Sequence, residues 1–304
     1  MNALLYLFAS SLVKIIQMLP LKLVGLIGWV GGWFFYFVDA RHRRVAVNNL
    51  SVGLGNSRSK KEITTLAREN FARIGECYLS ALKTAVVPAG LICRSITIKG
   101  DENLDLTKLK DGSLPSFMFA IGHFGNFEVY AKLAFLIPGY KLATTYRGIP
   151  QPWLDNLVKN IRNKTGTHYF ERRTEGKKLR DFMNQPGTIT GLLADQCAGN
   201  RGLKLPFLGR LCSTTSSPAL FSLRYNLRLH CCLCRRIGFG RWEIEVGPEV
   251  STRSNGSARP VEEIMNEVNS NLERFVVSDP VNWFWVHNRW KRPNPGGKSR
   301  LVDG

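Results

Sequence analysis

The run from Leu23 to Val38 (LVGLIGWVGGWFFYFV) carries no charged side chain, and the stretch from Leu4 to Leu19 before it is nearly as apolar. A segment of this kind has few places to go. It is slightly shorter than the roughly 20 residues that span a bilayer. A cleaved signal peptide fits poorly, because no small-x-small cleavage site follows and the segment ends on aromatics. A pair of buried core helices is the competing reading. Membrane anchoring, either spanning or lying in the interface, accounts better for the amphipathic rings of Trp29, Trp33 and Tyr36 and for the Gly28-x-x-x-Gly32 spacing. Arg41, Arg43 and Arg44 follow at once and place the remainder on the cytoplasmic side by the positive-inside rule.

Charge points the same way. The whole chain has 42 Lys+Arg against 23 Asp+Glu, a net charge of +19. Only Lys14, Lys22 and Asp39 are charged in the first forty residues, so +18 lies beyond the anchor, where it would face an anionic leaflet. A nucleic-acid binder is the other class such a charge suggests. The basic residues here are scattered rather than interleaved with aromatics, and no recognition motif accompanies them. Apolar residues make up 44% of the chain, which excludes wholesale disorder. Seven irregularly spaced cysteines argue for reduced thiols rather than a disulfide framework.

The chain beyond the anchor alternates strand and helix signals. Ser59-x-x-Glu62 is a capping box ahead of a helical pattern running through Ile63, Leu66, Ala67, Phe71, Ile74 and Tyr78. Strand patterns fall at Ile92–Ile98, Ser116–Ile121, Lys141–Tyr146, Thr188–Ala194, Leu229–Ile237 and Trp242–Val246. Helical patterns fall after Asn126 to Pro138, at Trp153–Asn163 and at Val261–Val277. This alternation predicts an α/β fold with a mostly parallel central sheet flanked by helices. The organisation expected is an anchor over 1–40, one α/β domain over 41–292 and a flexible tail over 293–304.

Chemistry concentrates at Gly122-His123-Phe124-Gly125-Asn126-Phe127-Glu128. A buried strand ends in a glycine-flanked turn, where α/β folds place reactive groups. With Asn126 capping the following helix, Glu128 falls in its first turn and reaches back to the imidazole. The pair is then a general base and an orienting carboxylate. The nucleophile is a substrate hydroxyl, since Gly-x-Ser-x-Gly is absent. Cys231-x-x-Cys234 has metal-ligand spacing, but on a strand Cys232 and Cys234 face one side and Cys231 the other, so no metal is expected. Gly297-Lys298-Ser299 is not a P-loop, because position 292 is Arg.

The motif His123-x4-Glu128 resembles the first motif of the lysophospholipid acyltransferase superfamily, specifically its lipid A late-acyltransferase (lauroyl/myristoyl) branch. Further blocks are similar and in the same order: Thr145-Tyr146-Arg147, Asn156 to Arg162, Phe170-Glu171-Arg172, Leu193-Ala194-Asp195-Gln196, Leu205-Pro206-Phe207-Leu208-Gly209, Ser213-Thr214-Thr215, and the closing run from Asp279 to Lys291. The glycerolipid branch's Phe-Pro-Glu-Gly-Thr motif is missing. The resemblance implies a glycerol-3-phosphate acyltransferase-like fold and a membrane-bound O-acyltransferase on the cytoplasmic side of the inner membrane, needing no cofactor. Its donor would be acyl carrier protein, or acyl-CoA, and its acceptor an anionic glycolipid such as a lipid A precursor. An inositol mannoside or a lysophospholipid is the alternative acceptor. His123 and Glu128 would be catalytic, and Asn126, Arg147, Arg172, Asp195 and Gln196 would bind substrate.

Overall fold

The structure, a computed structural model, describes residues 2–291; the expected tail at 293–304 lies outside them. Four helices come first: α1 (Asn2–Met18), α2 (Leu21–Val38), α3 (Ala40–Leu54) and α4 (Lys60–Thr84). Pro20 separates α1 from α2, and Asp39 caps α3 by accepting from the His42 amide. The Ser59/Glu62 capping box forms at the start of α4 as the sequence predicts, with both reciprocal bonds present.

The rest is built on a seven-stranded sheet. Short α5 (Ala89–Cys93) leads into β1 (Ile96–Lys99), then β2 (Phe117–Ile121), β3 (Lys141–Tyr146), α6 (Pro152–Arg162), β4 (His168–Glu171), α7 (Gly176–Met183) and β5 (Thr188–Leu193). A hairpin of β6 (Leu203–Phe207) and β7 (Arg210–Thr214) precedes α8 (Ser217–Tyr225), β8 (Arg228–Gly238) and β9 (Arg241–Val250). A small hairpin, β10 (Arg253–Ser254) and β11 (Ser257–Ala258), and α9 (Val261–Ser278) follow. The order across the sheet is β1-β9-β8-β2-β5-β3-β4, and every pair is parallel except β8–β9. The mixed α/β architecture with a mostly parallel sheet is therefore present.

Two local expectations are corrected. The alternation from Ile92 starts as a helix, and the strand begins only at Ile96. The segment after Asn126 is a 3-10 helix, Phe127–Phe135, rather than a regular α-helix. Strand β2 is buried along its whole length, as a continuous apolar run in a parallel sheet must be. Cys231 packs in the core on one side of the sheet and Cys232 and Cys234 on the other, following strand alternation.

Helix α2 is long and apolar enough to cross a membrane, yet one face of it packs on α4. Gly28 and Gly32 meet Gly75 of α4 so closely that a Cβ on Gly75 would stand 2.2 Å from the Gly28 carbonyl oxygen. The small residues let the two backbones touch. The opposite face, with Leu26, Val30, Phe34 and Phe37, is exposed. Residues 21–38 thus share an interface with the α/β domain as well as presenting apolar surface outward.

Candidate active site

Strands β2 and β5 are parallel neighbours, with Ile121 opposite Leu193. His123 and Asp195 each lie two residues beyond that pair, so the sheet register itself sets them side by side. The Ala194 amide donates to the Ile121 carbonyl and carries the ladder one residue further. His123 Nδ1 lies 2.7 Å from Asp195 Oδ1, and the His123 backbone amide donates to Asp195 Oδ2 at 2.8 Å. The Trp283 indole donates to the same oxygen at 2.7 Å. Asp195 is 1% exposed. Burial by itself pushes its carboxyl up, but the adjacent His123 charge and the donated hydrogen bonds outweigh this and hold it down to about 2. An ionised carboxylate at this atom keeps the proton on Nδ1 and leaves Nε2 free to accept one.

Glu128 does not take the place expected for it. Gly125 has a left-handed backbone (φ +45°), and its amide donates to the Asn282 carbonyl, tying the turn to the C-terminal segment. The 3-10 path that follows turns Glu128 away from the imidazole, and no hydrogen bond or ion pair joins the two. Its carboxylate instead accepts from Arg162 at 2.6 Å and from the Tyr169 hydroxyl at 3.3 Å. The carboxylate beside the imidazole is that of Asp195. Asn126 is likewise corrected. It makes no side-chain cap, is 1% exposed, and faces a small polar pocket behind the turn with Arg73, Ser80 and Asn282.

The remaining expected residues separate into two places. Gln196 is at the reacting edge, with Nε2 3.3 Å from His123 Nε2. Arg147 and Arg172 follow the paired residues Tyr146 and Glu171 at the ends of β3 and β4, so register brings them out together. Both are exposed. Burial and the charges of Arg147 and Arg173 lower the Arg172 pKa, as expected for crowded cations without enough counter-charge.

An apolar chamber of about 70 Å³ runs beneath the turn, between the 3-10 segment and the sheet. Phe119, Ile121, Leu133, Ile189 and Leu193 line it, Gly191 leaves room in it, and Glu128, Arg162 and Tyr169 supply its polar wall. Phe127 lines this chamber and lies 5.1 Å from the His123 ring, so a histidine at a strand end and an apolar chamber share a wall, an arrangement that suits transfer of an acyl chain. Sequence comparison decides the family: the model for bacterial lipid A biosynthesis acyltransferases matches residues 2–292. The chain belongs to that family. It is an acyltransferase of lipid A biosynthesis, and the family suggests association with a membrane. No curated protein sequence gives a significant match.

In this acyltransferase the C-terminal run does more than close the fold. Trp283 binds Asp195, Phe284 lies 5.8 Å from the His123 ring, and the His287 Nε2 accepts from the Cys197 amide. Arg289 is fully buried and donates to the Gln196 carbonyl and the Thr214 hydroxyl. Burial lowers the His287 pKa, which favours the neutral ring that such an acceptor needs. Sequence reading gave these residues no role, although their motif was visible. Arg162 carried no signal beyond ending the Asn156-to-Arg162 block, and Tyr169 none beyond preceding Phe170-Glu171-Arg172.

Proposed function

We propose that this acyltransferase moves a fatty acyl chain from an acyl thioester on acyl carrier protein to a hydroxyl of a lipid A precursor at the cytoplasmic face of the inner membrane. His123 Nε2 takes the proton of the acceptor hydroxyl while Asp195 stabilises the imidazolium. The hydroxyl oxygen bonds to the thioester carbon, and the Gln196 amide donates to the oxyanion. As the intermediate collapses, the carbon–sulfur bond breaks and the imidazolium returns the proton to the thiolate. Glu128, held by Arg162, shapes the wall of the acyl chamber rather than acting on the imidazole.

The observation that carries this reading is the buried, ionised Asp195 on Nδ1 of His123, whose ring lies 5.1 Å from Phe127, a residue that also lines the apolar chamber. The exposed faces of α1 and α2 suit a lipid surface, and Arg147 and Arg172 suit acceptor or carrier phosphates. An acidic carrier would be drawn to the basic domain by long-range attraction. Mass spectrometry of membrane lipids from cells with and without active protein tests it. A lipid A species lacking one acyl chain is expected without the protein; an unchanged lipid A profile would refute the assignment.

A further inference from the structure

Outside the catalytic site, one side chain is in an expensive position. Lys132 is 2% exposed, and among the described residues no carboxylate lies within ion-pair distance of it. Its ammonium donates to the Ala85 carbonyl at 3.1 Å and sits 5.6 Å from the Phe135 ring centre. One carbonyl satisfies one of its three N–H groups, and the ring only partly offsets the missing counter-charge. Burial lowers its pKa, with no anion acting against that.

Lys132 lines a second cleft, of about 180 Å³, on the other side of the Glu128–Arg162 pair from the acyl chamber. Tyr78, Leu82, Val158 and Ile161 give this cleft apolar walls contributed by α4 and α6. Helix α1 packs against both of those helices, and Gln17 of α1 donates to the Leu82 carbonyl. Leu12, Ile15 and Met18 of α1 turn apolar surface outward beside it. The cleft therefore joins a buried cation to an apolar passage flanked by helices that suit lipid.

We propose that this cleft binds a long-chain fatty acid, its carboxylate on Lys132 and its chain running between α4 and α6 toward α1. A monoanion matches a single ammonium. A phosphate dianion would meet one free cation only, since Arg162 is already paired with Glu128, and Glu128 lines the same cleft. The site is separate from the acyl-transfer reading, because binding is measured without turnover.

The test is binding of radiolabelled dodecanoate to the full-length protein in phosphatidylcholine nanodiscs, with empty nanodiscs subtracted. Saturable 1:1 binding is expected, with dodecanol, the same chain without the charge, weaker by about tenfold or more. Lys132→Met keeps the length and the burial and should lose a similar factor, while melting no lower than wild type. Ala81→Phe narrows the cleft without touching Lys132 and should also weaken binding. Inorganic phosphate should not displace the label. Equal binding of dodecanoate and dodecanol, or dodecanoate binding that survives Lys132→Met, would overturn the assignment; surviving binding would belong to the chamber against the sheet. The head-group comparison uses wild-type protein and decides even if a variant misfolds.

Discussion

Asp195→Asn isolates the orienting charge. Asp195 Oδ2 accepts from the His123 amide and the Trp283 indole, and Oδ1 from His123 Nδ1. An asparagine keeps the two-donor side by placing its carbonyl oxygen there. Its NH2 group then faces Nδ1, which must become an acceptor, and the ring proton moves to Nε2. A histidine protonated at Nε2 cannot take the acceptor's proton, and Gln196 can turn its oxygen toward that N–H and hold the wrong tautomer. The equivalent change in a Ser-His-Asp triad lowers kcat about 10⁴-fold. We expect a loss of about 10³–10⁴-fold in kcat here, with little change in KM. Two of the three hydrogen bonds survive in neutral form, so stability should fall by only about 1–2 kcal/mol. The assay is steady-state transfer from acyl carrier protein, with Glu128→Gln measured in parallel and expected to lose no more than about tenfold, chiefly in KM. The reasoning is refuted if Asp195→Asn keeps more than about a tenth of wild-type kcat, or if Glu128→Gln matches its loss in kcat.

Other outcomes follow from the same geometry. The Asp195 carboxyl is held at about 2 in the folded chain against an ordinary 3.8, so its contribution is complete above about pH 4 and disappears as pH falls toward 2. The difference of about 1–2 kcal/mol in unfolding free energy between wild type and Asp195→Asn should therefore shrink toward zero over that window in denaturant titrations. Gly191→Val adds a side chain into the acyl chamber at a position without positive φ, and should shift preference to shorter acyl chains by about fourfold per excluded methylene; an unchanged chain-length profile would remove the chamber from the donor site. Gly75→Leu drives a side chain into the α2 backbone and should cost about 1–3 kcal/mol or more, read as a lowered melting temperature in detergent; a neutral result would mean that α2 does not rest on α4.

Much of the frame was legible in the sequence because its signals are local. An apolar run closed by glycine gave β2, short strand patterns gave β3 and β5, and a reciprocal cap gave the start of α4. His123, the base we propose, was legible for the same reason, sitting on a glycine-flanked turn after a buried strand. Its partner was not. Asp195 is 72 residues away, and only the alignment of Ile121 with Leu193 in adjacent strands makes it a neighbour. Glu128 was the closer carboxylate in sequence, but three residues per turn instead of 3.6, after a left-handed glycine, aim it at Arg162. The docking of α2 on α4 was also hidden, since a glycine spacing that suits lipid-embedded helices serves here as a contact with the domain.

The most direct test of the account is acyl transfer by purified full-length His123→Ala, using a labelled acyl thioester on acyl carrier protein and a lipid A precursor, with the product resolved by mass. Wild type should add one acyl ester to the precursor. The variant removes the base and little packing, and should fall by about 10²–10⁴-fold while remaining folded and membrane-bound. Turnover above about a tenth of wild type in a folded variant would contradict the role given to His123.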